Sequence, residues 1–155
     1  PPIAQVVLIL AAFAGGCAGS TAGGIKIIRV LTIWRQGARE IKRLVHPNGV
    51  FHVKVGGRPV SEPVLNSIWS FISVYIFLFF FSIVLIMTVS ELDFLTSFSA
   101  VSASLNNLGP GLGMVGESYK DISATVKWIL IVNMMLGRLE LFTILVLFTP
   151  YYWRR

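Results

Sequence analysis

Three glycines stand at alternate positions in the segment 106–113, at residues 109, 111 and 113. Glycines at this spacing allow an extended backbone with little side-chain bulk, so successive carbonyl oxygens can turn toward one axis. Carbonyl oxygens arranged in that way replace the water shell of a cation. The segment lies between a short uncharged stretch and a long apolar one, which is the position of the filter in a cation-selective pore. The other interpretation is an ordinary Gly/Pro-rich loop between two membrane spans.

A second glycine-rich motif occupies residues 15–26. Two sets of small residues stand four apart within it: Gly15, Gly19 and Gly23, and Gly16, Ser20 and Gly24. On a continuous helix they would form two ridges for close helix packing. Alternatively the helix is broken at membrane depth, because each glycine costs about 1 kcal/mol of helix propensity and Ser20 and Thr21 can satisfy freed backbone groups. No Lys-Ser or Lys-Thr pair follows the last glycine, which excludes a phosphate-binding loop.

Arg138 is a charge inside an apolar stretch that runs from Ile122 to Pro150. It lies sixteen residues after Ile122, about 24 Å along a helix that rises about 1.5 Å per residue, which is near mid-membrane. Charge at that depth is costly and usually functional. Glu140 is two positions further on, about 200° around the helix, so the two side chains do not pair on one face. Arg138 therefore faces either a permeation path or an ion-pair partner on another helix.

The elements that must position these residues are membrane helices. The composition, 55% hydrophobic and 13% charged, is that of an integral membrane protein. Residues 64–90 are 27 consecutive residues without a charge, more than the roughly 20 that a helix needs to cross about 30 Å of hydrocarbon. Further spans are predicted from Ile3 to Ala14 and from Ile122 to Pro150. The absence of an initiator Met and the opening Pro-Pro lead us to expect a piece of a longer chain.

Between two of these spans, Asp93 to Leu105 is apolar or hydroxylated but too short to cross a bilayer. It is predicted to be a re-entrant pore helix, with Ser90 or Asp93 as its cap. The negative end of its dipole would then point at a dehydrated cation. Non-helical backbone at that depth requires protein or a wet cavity around it, so the segment after Leu105 needs other copies of the same unit.

The orientation of the spans is predicted from Lys and Arg. Eight of the thirteen lie between Lys26 and Arg58, which makes that region cytoplasmic by the positive-inside rule.

This basic region is predicted to begin as a helix. Val50 to Val55 alternates like a short strand, while Gly56 to Pro59 is a break. The basic side chains are either simple topology determinants or a binding surface for acidic lipid head groups or a cytoplasmic partner.

Two motifs together, residues 15–26 and residues 106–113 followed by Gly137-Arg138-Leu139-Glu140, resemble the Trk/Ktr/HKT superfamily of potassium transporters, most closely its bacterial Trk type. The resemblance covers nearly the whole chain and implies an all-α integral membrane fold. Members have four unequal repeats of span, re-entrant pore helix, filter loop and span. The implied division is residues 1–46 for the second span of repeat three with its cytoplasmic extension, 47–63 for a connector, 64–90 for the first span of repeat four, 91–105 for the pore helix, 106–113 for the filter, 114–121 for an outer loop and 122–155 for the last span.

The resemblance also assigns roles to residues. It implies a filter at Asn107, Leu108, Gly109, Pro110 and Gly111, in which backbone carbonyls of Asn107, Leu108 and Gly109 hold K⁺. It implies a gate loop beneath the filter, formed by Gly15, Gly16, Gly19, Ser20, Thr21, Gly23 and Gly24. Arg138 would face the permeation path as an electrostatic barrier. Pro110 departs from the channel pattern because it lacks an N–H, although its carbonyl remains.

The functional implications are potassium as the cargo, with no covalent cofactor, and multi-pass placement in a bacterial inner membrane. The implied partners are a second copy in a homodimer, a cytosolic nucleotide-binding regulatory subunit and membrane lipids, with no nucleic acid. The sequence leaves open whether K⁺ passes by passive flow or by symport with protons or sodium. The alternative function is a secondary transporter for an anion or small solute on broken helices, which accounts for Gly15 to Gly24 and Arg138 but not for a channel-like filter. An enzyme is not expected, because Arg138 and Glu140 are the only clear deep charges.

Overall fold

The computed structural model describes residues 23–109, 111–116 and 118–139, and also Ile3, Val7, Ala11, Phe13, Gly15 and Gly16. This part of the chain is helical apart from one small hairpin. The helices are α1 (Ile27–Val45), α2 (Glu62–Val89), α3 (Phe94–Leu105) and α4 (Ala124–Arg138), with a 3₁₀ helix at Gly113–Val115 and strands β1 (Lys54–Val55) and β2 (Arg58–Pro59).

Helix α2 coincides closely with the uncharged run 64–90. It begins one residue before Pro63, a residue whose fixed φ suits a first helical turn. Within the described residues it is the one helix long and apolar enough to cross a membrane. One face is buried, yet Phe77, Phe80 and Val84 on the other side are exposed. A helix that is apolar all round needs lipid or further protein on its outer side.

Helix α3 lies between α2 and α4 and contacts both. It begins at Phe94 rather than at residue 91, because Asp93 is extended and takes the position before the first helical residue. The other predicted cap, Ser90, belongs to α2 instead, since its hydroxyl donates to the Ile86 carbonyl (2.7 Å). The side chains that pack together in the core come from all three helices and the loop between them: Phe71, Tyr75, Phe79, Ile83, Ile86, Ala100, Val101, Leu105, Val115, Ile122, Val126 and Leu130.

Helix α4 begins after Ser123, whose hydroxyl accepts a hydrogen bond from the Val126 amide (3.4 Å). A buried polar contact joins it to α2, where the Ser82 hydroxyl donates to the Asn133 side-chain oxygen (3.0 Å). The helix ends at Arg138, with Leu139 at the C-cap position. The predicted span extended to Pro150, and residues 140–155 lie outside the described part of the chain.

The segment between α1 and α2 forms a hairpin where the sequence predicts a strand followed by a break. The strand is shorter than predicted, Lys54–Val55, and Arg58–Pro59 is its antiparallel partner. The predicted break holds at Gly56 and Gly57, which turn the chain with positive φ (58° and 79°) as in a two-residue hairpin, but it is wrong for Arg58 and Pro59, which form a strand. An ion pair from Arg39 to Glu62 (2.6 Å) ties α1 to the start of α2.

Candidate functional site

The end of α3 reverses the chain through a complete Schellman motif. The amide of Asn107 donates to the Ser104 carbonyl (3.1 Å) and that of Leu108 to the Ala103 carbonyl (2.9 Å). Asn107 takes the left-handed position with φ 55°, a place usually filled by glycine and sometimes by asparagine. Residues 106 and 107 therefore complete the helix, and the part of the predicted filter outside the helix begins at Leu108.

A buried hydrogen-bond chain holds this helix end against α2. The Tyr75 hydroxyl donates to the side-chain oxygen of Asn106 (2.9 Å), and the side-chain nitrogen of Asn106 donates to the Ser102 carbonyl (2.9 Å). Tyr75 and Asn106 are 2% and 5% exposed. Buried polar groups that are satisfied in this way fix one geometry, because moving either residue leaves an unpaired group.

The chain after the helix end is exposed where the sequence predicts ion coordination. Leu108 and Gly109 are exposed, and Gly109 has φ 99°, a conformation that L side chains rarely adopt. The Gly109 carbonyl accepts a hydrogen bond from the Tyr119 hydroxyl (3.0 Å). Gly111 is buried, and Pro110 lies outside the described residues.

Helix α3 holds the segment that follows. The Leu112 amide donates to the Ser99 hydroxyl (2.9 Å), which also lies within hydrogen-bond distance of the Leu112 carbonyl (3.0 Å). Gly113 begins the 3₁₀ helix, and a Cβ at that position would be 2.5 Å from the Thr96 hydroxyl. The described part of the predicted filter range 106–113 thus includes a helix end at residues 106 and 107 and the start of a new turn at Gly113.

The two ends of the motif at residues 15–26 lie together. The Ile27 amide donates to the Gly16 carbonyl (3.2 Å), whereas eleven residues of continuous helix would separate these groups by about 16 Å. Gly15 and Gly16 are not helical, and neither are residues 23–26. This geometry fits the broken helix and not the continuous one. Of the predicted gate residues, Gly19, Ser20 and Thr21 lie outside the described residues, while Gly24 is buried with φ 84°.

Three segments meet at the end of α3, in what we call the glycine junction (Gly23, Leu105, Asn107 and Gly137). A Cβ on Gly23 would be 2.7 Å from the Asn107 side-chain nitrogen, and one on Gly137 would overlap the Leu105 carbonyl oxygen. The same Asn107 nitrogen donates to the Met134 carbonyl in α4 (3.2 Å). The predicted gate loop, pore-helix end and last span are thus brought together at one point.

Arg138 follows Gly137 directly and is the last residue of α4. It is exposed within the described part of the chain. Its backbone thus follows the residue that contacts the end of α3, and the sequence predicts a mid-membrane charge here. Glu140 lies outside the described residues.

Several residues of this site were not predicted from the sequence. Three of them act through contacts with residues 10 to 31 positions away: Tyr75, Ser99 and Tyr119. The local sequence pattern does not predict such distant partners. Gly137 does carry a signal, because a glycine inside a helix weakens it and usually has a packing reason. Asn107 carries another, since asparagine tolerates the left-handed conformation.

Known proteins resemble this chain over its whole length. A family model described as TrkH, cation transport protein, matches residues 1–155. The chain is 51% identical over 154 residues to the Trk system potassium uptake protein TrkH of Escherichia coli strain K12, covering 99% of this chain and 32% of that protein. It is 41% identical over 150 residues to TrkG of the same strain, covering 96% of this chain and 30% of the relative.

The helical fold is likewise similar to a solved structure. The crystal structure of the potassium transporter TrkH from Vibrio parahaemolyticus matches with a TM-score of 0.90 at 49% identity, over 99% of this chain and 33% of that one. The chain therefore spans about a third of the length of these relatives.

Proposed function

Because this chain belongs to the TrkH family of cation transport proteins, we propose that it forms one part of a potassium-uptake pathway in a bacterial inner membrane. The observation that carries the proposal is the capped end of α3 followed by the exposed Leu108 and Gly109. A buried helix ends there, and the partial negative charge of its C-terminus falls next to the backbone carbonyls of two exposed residues. That is a site for a partly dehydrated monovalent cation.

In this proposal α3 is the re-entrant pore helix between α2 and the last span, and residues 62–155 make one repeat. The carbonyls of Asn107, Leu108 and Gly109 face a shared axis, with the other walls supplied by further repeats of the longer protein. The exposed apolar face of α2 then meets lipid or the neighbouring repeats. K⁺ is the cargo, and flow is either passive or coupled to protons or sodium.

Gating is proposed at the glycine junction. The contact of Gly23 with Asn107 supports a loop that ends directly beneath the filter, and Arg138 supplies a fixed positive charge at the same level. Small residues in the loop allow its backbone to rearrange. A positive charge beside the path raises the energy of a passing cation.

The remaining partners also belong to the proposal. A homodimer and a cytosolic nucleotide-binding regulatory subunit are expected for the whole protein. The basic helix α1, which carries Arg35, Arg39, Lys42 and Arg43, is suited to acidic lipid head groups at the inner face. Transport of an anion or small solute on broken helices, the alternative function, has no support in the comparisons.

The test is potassium and sodium uptake by the full-length parent protein in liposomes, comparing wild type with Gly109→Ser. We expect the ratio of K⁺ to Na⁺ uptake to fall, because serine is strained at φ 99° and displaces the carbonyls around it. Gly57→Ser is the matched control. It places the same side chain at a positive φ of 79°, with no described atom within 4 Å, but in the cytoplasmic hairpin. Selectivity that Gly109→Ser leaves unchanged would make this segment an ordinary loop.

A further inference from the structure

The hydrogen bond from the Tyr119 hydroxyl to the Gly109 carbonyl (3.0 Å) joins the outer loop to the filter segment. We propose that Tyr119 is a specificity-determining positioning residue, whose hydroxyl fixes the direction of the Gly109 carbonyl and thereby the size of the cation that the filter accepts. The inference rests on the proposed function, because it assigns a role within the same site. It concerns a residue that contacts the filter backbone and has no direct contact with the ion.

The Gly109 carbonyl needs an external anchor because its own peptide group lacks one. The nitrogen of that peptide belongs to Pro110, which has no hydrogen and cannot bond to the structure behind the filter. Gly109 itself has no side chain, and no described atom lies within 4 Å of the place where one would start. The direction of this carbonyl is then set by ψ of Gly109, which a glycine restrains only weakly unless the oxygen itself is held.

Tyr119 is suited to hold that oxygen because its own position is fixed. Its ring is half-buried and packs against the core cluster between α2, α3 and α4. The loop that carries it is held in turn, since the Gly111 amide donates to the Val115 carbonyl (3.3 Å). A rigid ring on a packed loop places its hydroxyl more accurately than a long flexible side chain would.

The hydroxyl stays a donor at every physiological pH. Burial raises the pKa of Tyr119 above its usual value, so the phenol remains protonated in neutral and mildly alkaline solution. A carbonyl oxygen has two lone pairs, and one of them accepts from Tyr119 while the other is left for a cation. The hydrogen bond therefore leaves the Gly109 oxygen able to coordinate a cation, and it fixes the direction in which that oxygen points.

The experiment measures K⁺ and Na⁺ uptake by the full-length parent protein in liposomes for wild type, Tyr119→Phe and Gly109→Ser. We expect Tyr119→Phe to lower the K⁺ to Na⁺ uptake ratio by about five- to tenfold, the effect of one ordinary hydrogen bond. A freed carbonyl can close around the smaller ion, so Na⁺ uptake should rise while K⁺ uptake changes little. Ser118→Ala is the control, since that hydroxyl lies in the same loop but accepts from the Lys120 amide (3.1 Å).

Replacement of Tyr119 by 4-aminophenylalanine keeps the ring and restores an N–H donor at the same place. It should recover most of the lost selectivity, which a merely structural role of the ring would not predict. If Tyr119→Phe does not reach the membrane, 3,5-difluorotyrosine carries the test, because its phenol ionises nearer to neutral pH. Selectivity should then fall as the pH rises in that variant alone, and a pH-independent ratio would overturn the inference.

The outcomes separate the two proposals. A fall in selectivity in Gly109→Ser but not in Tyr119→Phe overturns the role of Tyr119 and leaves the potassium pathway intact. A loss of total flux in Tyr119→Phe at an unchanged ratio also overturns it, because positioning of a filter carbonyl must alter discrimination. Unchanged selectivity in both variants would overturn the proposal that this segment is a filter.

Discussion

The carbonyl oxygen of Leu105 lies so close to Gly137 that a methyl group on Gly137 would overlap it. The last carbonyls of α3 thus lie in a notch on α4 that exists only because residue 137 has no side chain. The Asn107 side chain occupies the same notch, where a Cβ on Gly137 would be 3.0 Å from its nitrogen. The depth of α3 relative to α4 is therefore set by backbone contact, which leaves no room for adjustment by side-chain rotation.

Gly137→Ala should destabilise the protein by about 1–3 kcal/mol, the usual cost of overpacking a closely packed site. It should also lower the K⁺ to Na⁺ uptake ratio, because the end of α3 must shift. The measurement is thermal unfolding in detergent by size-exclusion chromatography, together with uptake in liposomes. Gly37→Ala is the control, since Gly37 is exposed in α1 with no described atom within 4 Å. That change should be neutral or stabilising by up to about 1 kcal/mol.

Asn107 should tolerate glycine better than alanine. Both changes remove the hydrogen bond to the Met134 carbonyl, worth about 1 kcal/mol, but only alanine keeps the left-handed strain, about 1–2 kcal/mol. Unfolding temperatures of the two variants in detergent give the comparison. Asn48, which has no positive φ, supplies the control pair, in which glycine should hold no advantage over alanine. Equal stabilities of Asn107→Ala and Asn107→Gly would contradict the role of Asn107 as the cap of α3.

Arg138→Ala should raise potassium flux by up to about tenfold. Two unit charges about 10 Å apart interact by roughly 1.7 kcal/mol at an effective dielectric constant of about 20, and removing the arginine charge lowers the barrier by that order. Rb⁺ or K⁺ uptake at matched protein density is the measurement. Lys127→Ala removes the same charge from the outer part of α4, about 16 Å away along the axis, and should leave the flux nearly unchanged. Failure of Arg138→Ala to fold would instead support an ion pair with another helix.

Deleting Ser20 to Ala22 should raise potassium flux, because it shortens the loop that ends beneath the filter at Gly23. The bond between the Gly16 carbonyl and the Ile27 amide lies outside the deletion, so the two flanking segments can stay joined. An equal deletion of Pro47 to Gly49 in the cytoplasmic turn controls for the loss of three residues. Unchanged flux in a well-expressed loop variant would argue against gating by this segment.

The elements of the fold could be predicted from the sequence wherever a continuous physical signal exists. The uncharged run 64–90 predicts α2 to within two residues at each end, because hydrocarbon tolerates no interruption by charge. The start of α3 could be placed only to within a few residues, because Ser90 and Asp93 are both short polar side chains before an apolar run, which is a typical helix start. The hairpin was missed because two adjacent glycines mark a break and a tight turn equally well, and only pairing of the flanking strands distinguishes them.

The candidate site depends instead on contacts between residues far apart in the chain. The type of Asn107 suits a left-handed cap, but its bond to Met134 requires α4 to lie beside α3. Likewise, the local sequence predicts only an ordinary loop residue at Tyr119, and its hydrogen bond to Gly109 depends on the folded structure. Spacing within one segment carries no information on such long-range partners, so the residues that hold the segment after α3 could be identified only from the three-dimensional arrangement.

The position of α3 between α2 and α4 also constrains how the protein is made. Five of its twelve residues, Thr96, Ser97, Ser99, Ser102 and Ser104, carry hydroxyl groups and are buried, so the helix is a poor candidate to enter lipid by itself. The notch at Gly137 that receives its end is synthesised after it. We therefore expect residues 94–105 to stay out of the lipid until α4 has been synthesised. Biogenesis of this region is thus expected to proceed by insertion of α2, α3 and α4 as one unit, and not helix by helix.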